Sequence, residues 1–168
     1  IGLGYKRIAI ITNASLQYSS SKDRLNGYRR ALEEAGLPYD EKFIFYGNRT
    51  PDSGFHAMRQ ILDSGIKPTA VFIASDTVAL GSLNALYQNF IRVPEDIAIM
   101  GFDDIPLSMH LAPPLSTIHI PAYHLGWNAA NLLIKWLDNN EVPQEDCILD
   151  TEIIIRESCG SRKHNKEN

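Results

Sequence analysis

The chain has 168 residues, of which 44% are hydrophobic, 21% charged and 9% aromatic, and 20 acidic against 16 basic side chains leave a formal net charge of −4 at pH 7. That apolar share excludes bulk disorder. The longest apolar runs, residues 70–74 and 153–155, fall far short of the ~20 residues a membrane-spanning helix needs, so no membrane partner is expected. A pI near 5.7 gives this segment no general attraction for nucleic acid.

In chain order, residues 7–12 (Arg-Ile-Ala-Ile-Ile-Thr) form a β-branched run suited to a strand buried on both faces. A polar stretch, 13–21, leads to a helix expected to start near Ser21 with a serine cap. Leu25, Tyr28, Leu32 and Ala35 recur at helical spacing, and Gly36 stands at the stop. Residues 42–46 read as a second strand. Asp52 is the expected cap of a second helix with Phe55, Met58, Ile61 and Leu62 on its apolar face. Residues 70–74 are a third strand. Asp76 is the expected cap of a third helix facing inward through Val78, Leu80, Leu83, Leu86 and Tyr87. Residues 97–102 are a fourth strand. This alternation implies an α/β fold with right-handed crossovers and a doubly wound parallel sheet. After Pro113 and Pro114 the character changes. Residues 116–121 form an extended crossing segment, 125–137 a strongly apolar helix, and 148–156 one or two strands, and a frayed tail is expected over 161–168.

Ligands of open α/β sheets bind beyond the carboxyl ends of the strands. That rule selects the loops 13–21, 47–52, 75–76 and 101–104, all on one edge. Their polar content is Tyr18, Ser20, Asp23, Arg24, Asn48, Arg49, Ser75, Asp76, Asp103 and Asp104. An Arg and an Asp held across such a cleft suit a polyhydroxylated ligand, because the guanidinium donates in a fixed fork and the carboxylate accepts from neighbouring hydroxyls. Arg24 and Asp103 fit this best. Asp76 reads first as a helix cap, and Arg49 and Asp104 read equally well as solvated loop charges. Adjacent carboxylates at 103 and 104 point apart, which argues against a shared metal or acid–base pair.

Catalytic signatures are missing. His56, His110, His119, His124 and His164 show no zinc spacing, and there is no nucleophile elbow and no phosphate loop. Gly2-Leu3-Gly4 precedes its strand, so it is no dinucleotide fingerprint. No enzyme, cofactor or metal is expected. Cys147 and Cys159 are too few for a disulfide framework and are expected as free thiols in a reducing cytoplasm. No basic-then-apolar leader opens the chain. It starts at Ile1 and enters a strand almost at once, as a piece of a longer protein would.

Several motifs carry a resemblance. They are Gly4-Tyr5-Lys6-Arg7-Ile8-Ala9, Asp23-Arg24-Leu25-Asn26-Gly27-Tyr28, Pro68-Thr69-Ala70-Val71-Phe72, Pro114-Leu115-Ser116-Thr117-Ile118 and Arg156-Glu157-Ser158. The most specific is Val93-Pro94-Glu95-Asp96-Ile97-Ala98-Ile99-Met100-Gly101-Phe102-Asp103-Asp104. Together they resemble the C-terminal part of the effector domain of LacI/GalR-family transcriptional regulators, from Leu3 to about Ser158. The resemblance implies an incomplete two-lobed, periplasmic-binding-protein-like (type I) domain. Residues 3–116 would form the C-terminal effector-binding lobe. Residues 117–140 would cross to the other lobe with their helix, 141–160 would return, and 161–168 would be a tail.

It implies further that a sugar or related metabolite binds between the lobes, with effector contacts on Arg24, Asp103, Ser75, Tyr18 and Ser20. Arg49 stands where the family often has a ligand-stacking aromatic, and Ser75 where an Asn is common. A homodimer through Leu80, Leu107, Met109 and Leu111 is implied, as is operator binding by an N-terminal helix-turn-helix outside this chain. The alternative is a sugar-binding protein of an ABC transporter, separable by the upstream sequence. The apolar helix carries Leu125, Trp127, Leu132, Leu133, Ile134, Trp136 and Leu137, more than one buried face requires. It is therefore expected either to fold back on its own sheet or to pack against a second chain.

Overall fold

The computed structural model describes residues 1–139 and 146–161. The β-branched run becomes strand β1 (Ile8–Thr12), one of the two inner strands of a four-stranded parallel sheet. Strand β2 (Ile44–Tyr46) lies on one side of it, and β3 (Ala70–Ile73) and then β4 (Ala98–Met100) on the other, in the order β2-β1-β3-β4. Ile10 stands opposite both Ile44 and Phe72, and Val71 opposite Ile99. Because all four strands are parallel, their carboxyl ends share one edge, as the sequence implies.

Alternation along the strands divides the core in two. Ala9, Ile11, Val71, Ile73 and Ile99 face helices α2 (Pro51–Asp63) and α3 (Asp76–Gln88), meeting Ala57, Met58, Ile61, Val78 and Leu86. Ile8, Ile10, Ile44 and Phe72 face α1 (Ser19–Glu34), meeting Leu25, Tyr28 and Leu32. Helices therefore cover both faces of a doubly wound sheet. The Tyr28 hydroxyl donates to Ile8 O at 2.7 Å, and burial pushes its pKa up to about 12. Helices α2 and α3 touch backbone to backbone through Gly54 and Gly81. A Cβ on Gly54 would strike Val78 O, and one on Gly81 would strike Pro51 O.

The helix starts differ from expectation. Helix α1 begins at Ser19 behind Tyr18, whose side chain makes no cap bond, so no serine cap forms. Helix α2 is capped by Thr50, whose hydroxyl accepts from Ser53 N at 3.2 Å, with Pro51 opening the helix and Asp52 inside its first turn. Pro51 favours this start because its missing N–H is an orphan there anyway. Ser75 precedes α3, and Asp76 is its first residue. Tyr87 turns outward at 81% exposure and leaves the inner face of α3 to Ala79, Ala85 and Leu86. The strands are shorter than the apolar runs, and a helical turn over Glu41–Phe43 takes the first two residues of the second run.

The crossing segment contains β5 (Thr117–His119), which pairs antiparallel with β6 (Glu152–Ile154), Ile118 opposite Ile153. One strand thus forms within the 148–156 stretch. Isolated bridges from Met100 to Ser116 and from Asp103 to His119 attach β5 to the end of β4. Helix α4 (Ala122–Asn139) follows. It does not fold back on the sheet: Leu133 is 51% exposed and Trp136 44%, with Trp127, Ile134 and Leu137 also open. Helix α1 lies on one face of the sheet and α2 with α3 on the other. Residues of the expected tail from 162 onward lie outside the described residues, as do 140–145. Both cysteines are free thiols, Cys147 exposed and Cys159 buried. No helix among the described residues is long and apolar enough to cross a membrane.

Candidate functional site

The chain reversal after β4 builds the centre of the ligand edge. Asp103 and Asp104 both adopt positive φ, 113° and 55°, a conformation that side chains other than glycine seldom take and that clusters at functional sites. The reversal sends the two carboxylates in different directions. Asp103 meets Arg24 of α1, whose Nη2 donates to its Oδ1 at 3.4 Å, while the Ser75 hydroxyl donates to Oδ2 at 3.0 Å. Arg24 is held twice more: Nη1 donates to Ala74 O at 2.6 Å, and its guanidinium carbon lies 3.9 Å from the centre of the Phe102 ring. Helix α1 and the ends of β3 and β4 thereby fix one cation and one carboxylate side by side. Burial lowers the Arg24 pKa against the opposing pull of Asp103. Burial likewise raises the Asp103 carboxyl above its ordinary value, against the opposing pull of Arg24 and the Ser75 hydroxyl.

Asp104 serves a different purpose. Its Oδ1 accepts from Arg156 Nη2 at 2.7 Å, and its Oδ2 lies 3.0 Å from His119 Nδ1. Arg156 also donates to Leu115 O at 2.7 Å. Asp104 is therefore a part-buried ion pair that ties the loop to β5 and to the end of β6, which corrects its reading as a solvated loop charge. Asp76 is also corrected. It is neither the residue before α3 nor open to a ligand, but wholly buried. Its carboxylate accepts from Phe102 N at 2.8 Å, Ile105 N at 3.2 Å, Ser108 Oγ at 2.6 Å and Thr117 Oγ1 at 2.7 Å. Gly101 leaves room for it, since a Cβ there would strike Asp76 Oδ1.

At the other end of the edge Arg49 and Tyr18 come together, the guanidinium carbon 4.1 Å from the ring centre. Ser20 is exposed in the first turn of α1. Next to Asp103 a cleft of about 560 Å³ opens between the β4 loop and the crossing segment, lined by Asp104, His119, Pro121, Tyr123 and His124 among others. That volume lies within the range usual for small-molecule sites. His119, Tyr123 and His124 were not expected beside the site. No spacing in the sequence marks them, because the crossing segment is far from the loop in the chain. Among the described residues no group of His, Cys, Asp and Glu is placed to hold a metal ion.

The four parallel strands thus end on one polar, partly strained edge. The model of the periplasmic binding protein-like domain matches residues 1–159. The chain belongs to that family, and the relatives it matches are transcriptional regulators, several of them of the LacI type. It is 38% identical over 158 residues to the HTH-type transcriptional regulator CelR of Thermobifida fusca, covering 94% of this chain and 46% of that protein. The structure of a CelR–cellobiose complex superposes with a TM-score of 0.88 at 38% identity, covering 94% of this chain and 48% of that one. A lac repressor dimer bound to operator and the anti-inducer ONPF gives a TM-score of 0.86 at 29% identity, covering 94% and 56%. The chain thus spans about half the length of these relatives.

Proposed function

We propose that this chain is the effector-sensing part of a LacI-type transcriptional regulator working in the cytoplasm, and that its ligand is a sugar-like metabolite held at the carboxyl edge of the sheet. The observation that carries this is the Arg24–Asp103–Ser75 cluster. It is a half-buried cation and carboxylate fixed by α1 and the ends of β3 and β4 over an aromatic ring, the chemistry that recognises vicinal hydroxyls. Tyr18, Ser20 and Arg49 complete the polar rim. Relatives of this chain include one whose structure is a cellobiose complex and one that is a dimer on operator DNA, which supports the same division of labour here. Effector binding would favour one arrangement of lobes, and so shift operator binding by no more than the differential affinity of the effector for the two states.

The proposal also divides the chain between two lobes. Residues 3–116 and the return segment 141–160 would form the effector-binding lobe and 117–140 would belong to the other lobe, with 140–145 lying outside the described residues. The open apolar surface of α4 supports it. A homodimer patch at Leu80, Leu107, Met109 and Leu111 belongs to the proposal too. Leu107 and Met109 stand exposed, whereas Leu111 packs against the core, so the outward pair would carry the contact. The test is calorimetry on the full-length protein with a panel of mono- and disaccharides, followed by operator binding with and without the sugar that binds. Arg24→Ala should weaken that sugar at least tenfold, since a charged hydrogen bond contributes about 1.5–3 kcal/mol. Unchanged affinity would remove Arg24 from the site.

A further inference from the structure

Arg49 leaves the end of β2 with φ 58°, its N–H donating to Asn13 O at 2.8 Å, and its guanidinium lies over Tyr18. A left-handed arginine anchored through backbone and ring is positioned rather than free. Yet no carboxylate among the described residues comes within ion-pair distance of it. Asp52, three residues on in the first turn of α2, makes no ion pair with it. Arg24 differs, because Asp103 balances its charge.

A second observation stands beside the first. Helix α1, sixteen residues long, has no side-chain cap and no acidic residue in its first turn. The positive end of its dipole therefore lies open next to Tyr18. Helix α2, in contrast, has a Thr50 cap and Asp52 in its first turn. A third observation points to a ligand directly. Asn13, at the end of β1 between these groups, is only 7% exposed, and its side-chain carbonyl has no hydrogen-bond partner. A buried acceptor without a donor is costly unless something supplies one. A ligand hydroxyl would.

We infer that the ligand of this edge is a polyhydroxylated molecule carrying an anionic group, a phosphate monoester or a carboxylate. Arg49 and the open start of α1 receive the anion, Asn13 accepts from a hydroxyl near it, and Arg24 with Asp103 holds the rest. This rests on the ligand-site reading above and gives that ligand its charge. An unpaired arginine on a sheet edge whose other cation is neutralised leaves the rim with a positive excess that a neutral sugar would not use.

The experiment is calorimetry on the full-length protein with paired probes: glucose against glucose 6-phosphate and gluconate, ribose against ribose 5-phosphate, and inorganic phosphate alone. At least one acid should bind about tenfold or more tighter than its neutral parent. Arg49→Ala should cut that preference to about threefold or less, with a larger loss for the acid than for the parent, and Arg49→Lys should restore part of it. The advantage should shrink as ionic strength rises. The phosphate and carboxylate arms distinguish the two sources of charge. Neutral parents binding as tightly as the acids, a preference that survives Arg49→Ala, or no acid binding at all would each overturn the inference. Arg24→Ala separates this failure from that of the site. If neutral sugars bind and depend on Arg24, the site stands without the anion; if they bind regardless of Arg24, the site reading fails as well.

Discussion

At Asp103 burial and the Arg24 guanidinium pull in opposite directions, and burial wins, so the carboxyl sits above its ordinary range. In the unfolded chain it returns to that range. Ionising it therefore costs the fold something that is absent below the ordinary carboxylate value and fully present above the raised one. Ligand binding has the opposite sign, because the carboxylate is the acceptor and is lost as pH falls through the raised value. Asp103→Asn keeps the size and one acceptor while removing the charge. It should leave thermal stability at neutral pH equal to or above that of the native chain and weaken the sugar by tenfold or more. Parallel melting and calorimetry check both halves, and a variant that loses stability as well would show that Asp103 serves the fold before the ligand. Arg24, Asp103 and Ser75 were legible in the sequence because parallel strands put all their carboxyl ends on one edge. The role of Asp104 was not. Its partners Arg156 and His119 lie 52 and 15 residues away, and no local pattern encodes which cation a loop carboxylate will meet. Asn13 escaped notice for a similar reason, since an unpartnered carbonyl is a property of packing.

Helices and strands were legible where periodicity is long, and their ends were not where two capping residues compete. Thr50 supplants Asp52 because Pro51 fits only at the first helical position. Asp76 departs from expectation because four donors from three other segments converge on it. It joins the start of α3 to the β4 loop, the turn at 106–110 and β5, and so holds Asp103 in its strained conformation. Asp76→Asn would turn an amide N–H₂ against donors and leave at least two of them buried without an acceptor. At about 1–3 kcal/mol for each orphan, a loss of about 3 kcal/mol is expected in urea unfolding, with a weaker ligand as a consequence. The α2–α3 contact gives a second expectation at this scale. Gly81→Ala places a methyl against the backbone carbonyl of Pro51, which no side-chain rotation relieves. Overpacking of this kind costs about 1–3 kcal/mol. An equal substitution at Gly27, where nothing lies within 4 Å of the added carbon, should be neutral or stabilising because alanine favours the helix. Comparing the two variants by thermal melting checks the packing claim against the propensity effect.

For the molecule as a whole, the sheet and its three helices bury their apolar faces, whereas α4 leaves most of its own open. It does not return to the sheet, although an apolar cavity of about 270 Å³ beside α1, lined by Ile8, Phe72 and Met100 among others, stays open there; periodicity in the sequence reports an amphipathic helix without saying what it will touch. The proposed division into lobes explains the open face by assigning 117–140 to a second lobe, and this yields a measurable difference. In the 168-residue chain Leu133 and Trp136 are about half exposed. Leu133→Glu and Trp136→Glu should therefore change its stability by about 0.5 kcal/mol or less, as surface substitutions usually do. In the full-length protein, where a second lobe would cover them, the same charges would be buried without partners. There each should cost about 3 kcal/mol or more and lower the melting temperature by several degrees. The contrast between the two proteins is the readout. Equal indifference in both would show that α4 stays open in the intact protein and that 117–140 is no part of a second lobe. Equal damage in both would show that α4 is already covered in the isolated chain, through contact with a second copy.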